Sequence, residues 1–200
     1  MELRKTELLF RYSETETLRF KEEAMKKILI VVDMQKDFVD GSLGTKEAVS
    51  IVDNVVNEID KGYDLIICTR DTHHENYMET NEGKHLPVVH CVKDSKGWML
   101  DKKVEEAVKG RSNVMLINKP TFGSEHLITA LKDFNENEKI EEITLIGLCT
   151  DICVVSNALM VKAAFPEIRV AVKKDCCAGV TPETHAAALT TMKMCQIEIE

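Results

Sequence analysis

The sequence predicts one α/β domain in which a parallel sheet of five or six strands is covered by helices on both faces. Three observations carry this. Short β-branched runs alternate with longer segments of helical spacing along most of the chain. That alternation is the pattern of strands joined by crossover helices, which buries a parallel sheet on both sides. The chain has 200 residues, 44% of them hydrophobic and 30% charged, enough for a single core that still leaves room for a pocket.

In chain order, the strands are expected at Lys27–Asp33, Asp64–Thr69, Asn113–Asn118, Glu142–Gly147 and Arg169–Lys173, with a last short one at Gln196–Ile199. Helical spacing covers Lys46–Lys61, Asp101–Lys109, Gly123–Phe134, Asp151–Ala164 and Thr181–Met194. Thr150-Asp151 and Thr181-Pro182-Glu183 supply start signals for the last two, with short polar residues to cap free amides and Pro in a first turn. Residues 1–26 are charged, with scattered Leu and Phe, and are expected to form an N-terminal extension to a domain at 27–200.

Composition narrows the function classes. The formal charge of −8 is spread along the chain, and no basic block with interleaved aromatics exists, so neither nucleic acid nor an anionic membrane is expected as partner. The longest apolar runs are too short to span a bilayer, and no signal-peptide pattern opens the chain. Seven cysteines, odd in number, fit a reducing compartment, so a cytoplasmic location is expected, with free thiols used for packing or chemistry. The partner is expected to be a small molecule; whether the chain forms a homo-oligomer stays open.

From Arg70 to Gly97 the periodicity stops, and a loop of this length in a compact domain is more often functional than idle. In an open parallel sheet, ligands bind beyond the carboxyl ends of the strands. Asp33 ends the first strand, and Asp71, Lys119 and Cys153 follow the next three, so all four share that edge. A thiol needs a cation and a proton acceptor nearby to act as a nucleophile, and Cys153 gains further help toward thiolate if a helix starts at Asp151.

Asp33-Met34-Gln35-Lys36-Asp37-Phe38, Lys119-Pro120-Thr121-Phe122 and Gly147–Cys153 together resemble the three signature regions of the isochorismatase-like cysteine hydrolases, and the likeness spans about residues 27–199. The resemblance implies a Rossmann-like sheet, a covalent thioester route, and catalytic roles for Asp33, Lys119 and Cys153. It also implies a non-proline cis peptide, falling here at Leu148-Cys149. That bond would aim the amide of Cys149, with that of Cys153, at the carbonyl oxygen as an oxyanion hole.

Asp71, His73 and His90 offer one carboxylate and two imidazoles, a set suited to zinc, manganese or iron. Within the family they resemble the metal ligands of nicotinamidases, with Glu82 as the extra carboxylate. Glu79 is the rival, and His74 and His85 are weaker candidates. The chain departs from many nicotinamidases in carrying Thr72 where those have Trp. Phe38 and Phe122 stand where the family stacks aromatics on a flat ring, and Trp98 is a third pocket candidate. Cys68, Cys91, Cys149, Cys176, Cys177 and Cys195 lack the spacing of a zinc site, and His185 reads as structural.

Nicotinamide hydrolysis is thus the leading reading. An amidase of carbamoyl or ureido substrates comes next. Isochorismatase chemistry follows, which would leave Asp71, His73 and His90 idle. A non-catalytic binding module comes last, and the presence of Asp33, Lys119 and Cys153 argues against it.

Overall fold

The computed structural model of the protein describes residues 25–200, so all but the last two positions of the expected N-terminal extension lie outside the described residues. Six parallel strands form one sheet in the order β3-β2-β1-β4-β5-β6. They run over Lys26–Val32 (β1), Leu65–Asp71 (β2), Val114–Lys119 (β3), Ile140–Leu148 (β4), Arg169–Ala178 (β5) and Glu198–Ile199 (β6). The α/β class and the parallel sheet are as the sequence implies. β5 extends five residues beyond its expected end at Lys173, because its continuation through Cys176-Cys177-Ala178 pairs with Gly147 and Leu148 of β4.

β1 shows why the sheet is buried on both sides. Ile28, Ile30 and Val32 face one layer and Leu29 and Val31 the other, and all five are fully buried. The first layer is closed by α5 (Glu125–Asn137), α6 (Val155–Ala164) and α7 (Pro182–Met194), through Leu127, Leu131, Val161 and Met192. The second is closed by α2 (Lys46–Ile59) and α4 (Lys102–Val108), through Ile51, Val55, Val104 and Val108. Burial of side chains this size stabilises by about 1.5–3 kcal/mol each, so these two layers hold the sheet rigid beneath its loops.

Helix starts follow their local signals. Thr45 accepts from the Ala48 amide, Ser124 from Leu127 and Thr181 from Thr184, the last as a reciprocal capping box with Pro182 in the first turn. Thr150-Asp151 does not act as a cap. A π-type turn occupies Thr150–Val154 ahead of α6; the Thr150 hydroxyl is instead 2.8 Å from His185 Nδ1, and the Asp151 carboxylate accepts from the Val180 amide.

The Arg70–Gly97 stretch carries a 3-10 turn at Tyr77–Glu79 and a short helix, α3 (Asn81–His85), with one more, α1 (Lys36–Val39), just after β1. Strand order reverses between β1 and β4. In such sheets the reversal opens a crevice at the carboxyl edge, and the β1 and β4 segments that carry Asp33 and Cys153 both end there.

Candidate active site and metal centre

Backbone geometry at the carboxyl edge is set by two close approaches. Gly147 has φ +114°, and a β-carbon there would come within 2.1 Å of the Val32 carbonyl, so only glycine lets β4 lie against the end of β1. One residue on, the Leu148-Cys149 peptide is cis. At Gly83 a β-carbon would meet the Tyr77 carbonyl at 2.1 Å, so glycine seats α3 directly on Tyr77.

Asp33, Lys119 and Cys153 converge. Lys119 is fully buried, with Nζ 2.6 Å from Asp33 Oδ2 and 3.6 Å from Asp71 Oδ1, and it donates to Cys153 Sγ at 3.3 Å and to the Thr121 carbonyl at 3.1 Å. Strand register brings this about, since Asp71 and Lys119 are partners across β2 and β3. Asp33 leaves β1 with φ +46°, and its Oδ1 accepts from the Thr69 hydroxyl at 2.7 Å.

Charge follows from this crowding. Burial pushes the Asp33 carboxyl above the usual carboxylate range, against the pull of Lys119 and with the help of Asp71. Burial works against the Lys119 ammonium, but Asp33, Cys153 and Asp71 outweigh it and hold the amine charged well above its ordinary range. The Cys153 thiol is pushed well up by burial and by the Asp33 charge, with only Lys119 opposing. From the sequence, Cys153 is expected to need a cation and a proton acceptor, with a helix start at Asp151 as further help toward thiolate. The buried site instead keeps the resting thiol protonated, beside a carboxylate whose raised pKa makes it a better acceptor.

A second cluster adjoins the first. One donor atom from each of Asp71, His73, Glu82 and His90 lies within 4.8 Å of the others. His73 Nε2 is 2.9 Å from Asp71 Oδ2 and 3.5 Å from Glu82 Oε1, while His90 Nε2 stands 3.5 Å and 3.8 Å from the same two oxygens. His90 Nδ1 is 2.7 Å from the Val88 carbonyl. A proton on Nδ1 satisfies that carbonyl and leaves the Nε2 lone pair facing the cluster, the usual support of a metal-bound imidazole. His73 Nε2 is buried without a hydrogen-bond partner.

Buried polar atoms are rarely orphaned without a function, and two imidazoles with two carboxylates suit a transition ion. The residues therefore fit a divalent metal. Glu79, the rival ligand, is exposed on the 3-10 turn, and His74 and His85 are exposed as well. For Asp71, burial opposes ionisation, but the adjacent His73 and His90 imidazoles and the Lys119 ammonium hold its carboxyl below the usual range.

A cavity of about 190 Å³ opens between the clusters, lined by Cys149 and Cys153 on one side and by Asp71, Glu82 and His90 on another. Phe38 and Phe122 line it, with Leu86, Leu148, Ile152 and Val180 adding apolar wall. Trp98 does not reach it, which corrects the pocket role considered for that residue. Its indole N–H donates to the Thr72 hydroxyl at 2.8 Å, and the Arg70 guanidinium covers its ring at 3.7 Å, so it is packed against Thr72 and Arg70 instead.

Three supports of the site were not singled out from the sequence. Gln35, fully buried, donates to the Asp71 and Trp98 carbonyls and accepts from the Asp71 amide, fixing β1 to the end of β2. Asp37 accepts from the amide of Cys91, the neighbour of His90. Tyr77 packs its ring 4.6 Å from that of His73 and 5.0 Å from that of His90, with its hydroxyl on the Leu86 carbonyl. Gln35 and Asp37 sit inside the first signature region, which was the available signal; nothing local marks Tyr77.

Comparison with known proteins gives the chain's relatives. The model of the isochorismatase domain matches residues 27–199. A Bacillus subtilis protein described as the uncharacterized isochorismatase family protein PncA is 30% identical over 83% of this chain and 93% of its own length. The nicotinamidase/pyrazinamidase of Mycobacterium tuberculosis is 26% identical, over 86% of this chain and 97% of its own. Among solved structures, the pyrazinamidase of Pyrococcus horikoshii in complex with zinc superposes with a TM-score of 0.73 at 28% identity, covering 88% of this chain and 98% of that one.

Proposed function

The chain belongs to the isochorismatase family, and from that membership we propose that it hydrolyses nicotinamide to nicotinate and ammonia through a thioester on Cys153. One observation carries the choice of substrate: Asp71, Glu82 and His90 of the four-donor cluster line the same small apolar cavity as the Cys153 thiol. A flat neutral ring fits such walls, and the donor cluster supplies the selectivity that aromatic contacts with Phe38 and Phe122 lack.

The chemistry follows from the residues. Asp33 takes the thiol proton as Cys153 attacks the amide carbonyl, and Lys119, between them, stabilises the developing sulfur anion. The amides of Cys149 and Cys153 receive the oxyanion, a contribution on the order of 3 kcal/mol per donor. Asp33 returns the proton to departing ammonia and then assists water in cleaving the thioester. Asp71, His73, Glu82 and His90 would hold a divalent ion, zinc first and manganese or iron as alternatives, which supplies a Lewis-acidic contact for the ring nitrogen. In the cell this activity returns nicotinamide toward pyridine-nucleotide synthesis in the cytoplasm. No helix of the described residues is long and apolar enough to cross a membrane.

Ammonia release from nicotinamide and benzamide, which differ only by the ring nitrogen, tests the reading. One metal per chain and a clear preference for nicotinamide are expected, with that preference lost after chelation or in His73→Ala. Preference for an aliphatic amide by the metal-loaded protein, or full nicotinamide turnover without metal, would move it to the carbamoyl or ureido amidases.

A further inference from the structure

α6 is built of small and apolar residues apart from Lys162 in its last turn and one buried polar side chain, Asn157. Asn157 is fully buried on the helix four residues after Cys153, among Ala158, Val161 and Val154. Asparagine is a poor interior helix residue, because its side chain competes for backbone groups. A buried amide is retained only where its polar atoms are matched.

Here they are matched by the backbone of the two segments that carry the proposed chemistry. Asn157 Nδ2 donates to the Cys153 carbonyl at 2.7 Å and to the Phe122 carbonyl at 3.0 Å, and Oδ1 accepts from the Ser124 amide at 3.0 Å. Phe122 and Ser124 lie on the segment between β3 and α5. Lys119 opens that segment and is itself tied to it through Thr121, and Phe122 lines the cavity.

Resting on the reading of Cys153 as nucleophile, we infer that Asn157 is a positioning residue: its amide clamps the Cys153 peptide to the 119–124 segment, setting the Cys153–Lys119 distance and the placement of Phe122. Geometry supports a specific role. The bond to Cys153 reaches back one turn to the point where the π-type turn passes into α6, and the other two cross to a different element. Asn157 touches no reacting atom, so its influence passes through the thiol and the lysine it holds in register.

The test uses purified, metal-loaded protein with Asn157→Ala, which removes all three bonds. Asn157→Ser is the milder variant, whose hydroxyl can still reach the Cys153 carbonyl but not the segment beyond. Ammonia release from nicotinamide, the rate of Cys153 alkylation by iodoacetamide at one pH, metal content and circular dichroism are measured together. With dichroism and metal content unchanged, kcat in the Ala variant should fall by about tenfold or more, with a smaller change in KM and slower alkylation. The Ser variant should fall between Ala and parent.

If either variant keeps kcat and alkylation within twofold of the parent, the inference is overturned. It is equally overturned if activity falls only in proportion to lost metal or lost folded protein, or if the Ser variant cannot be obtained folded, since the role is then structural alone. Cys153→Ala separates this from the underlying reading. Ammonia release by that variant removes the nucleophile assignment itself, whereas an inactive Cys153→Ala beside fully active Asn157 variants removes only the positioning role.

Discussion

The two ends of the sheet use charge in opposite ways. At the carboxyl end, Asp33, Asp71 and Lys119 are buried with the Cys153 thiol, and one ammonium serves two carboxylates and a sulfur. At the amino end, Arg169 at the start of β5 meets Glu142, Glu198 and Glu200 near the surface, and Glu58 accepts from Lys61 and Tyr63, at 2.7 Å each. Arg169 and its partners lie where water can share their charge, whereas at the carboxyl end Asp33 relies on the single Lys119 ammonium and His73 Nε2 sits 2.9 Å from Asp71 Oδ2 in the interior. Buried ion pairs are weak contributors to stability, so the difference fits a carboxyl end arranged for the proposed chemistry and an amino end arranged for folding.

The sharpest way to break this contrast is at the nucleophile. Cys153→Ala should retain the fold and lose activity by about a thousandfold or more, and Asp33→Asn nearly as much, because neither variant can complete the proton transfer and attack. Steady-state ammonia release with dichroism as control measures both. Activity above a few per cent of parent in Cys153→Ala would place the chemistry elsewhere.

Lys119→Ala should affect both properties. It leaves two buried carboxylates without their cation, a loss of about 3–5 kcal/mol in denaturant unfolding. It also moves the pH midpoint of iodoacetamide inactivation upward, because Lys119 is the group that favours the Cys153 thiolate. An unchanged midpoint would remove the electrostatic role given to this lysine.

The amino end should respond in stability only. For Glu58, burial disfavours the charge, but the Lys61 and Tyr63 hydrogen bonds prevail and its carboxyl lies below the ordinary range. A carboxyl lowered by folding stabilises the protein above its unfolded pKa, about 4.3, and the gain disappears as pH falls through the folded value. Glu58→Gln should therefore cost about 1–2 kcal/mol at neutral pH and nothing in strong acid, with kcat unchanged; a difference that persists in acid would mean that packing is responsible. Smallest of all, Arg169→Ala should lower stability by about 1 kcal/mol or less, since its partners are partly solvated. Loss of turnover there would erase the division between the two ends.

What was legible in the sequence was whatever repeats or sits at a strand end. Period and β-branching mark the strands and helices, and the parallel-sheet rule then puts Asp33, Asp71, Lys119 and Cys153 on one edge. Asp71, His73 and His90 offer a donor set, and the family resemblance of the three signature regions singles them out as ligands. The tertiary structure decided what depends on distance and burial. It chose Glu82 over Glu79, because Gly83 seats α3 on Tyr77 and turns one carboxylate into the cluster while the other stays in water. It placed Trp98 against Thr72 and Arg70, out of the cavity lining. It kept the Cys153 thiol protonated, because desolvation, which no linear pattern encodes, outweighs a neighbouring cation. Asn157 shows the same divide: in sequence it is a polar residue in an apolar helix, and only the folded chain brings the Phe122 carbonyl and the Ser124 amide within reach of its side chain.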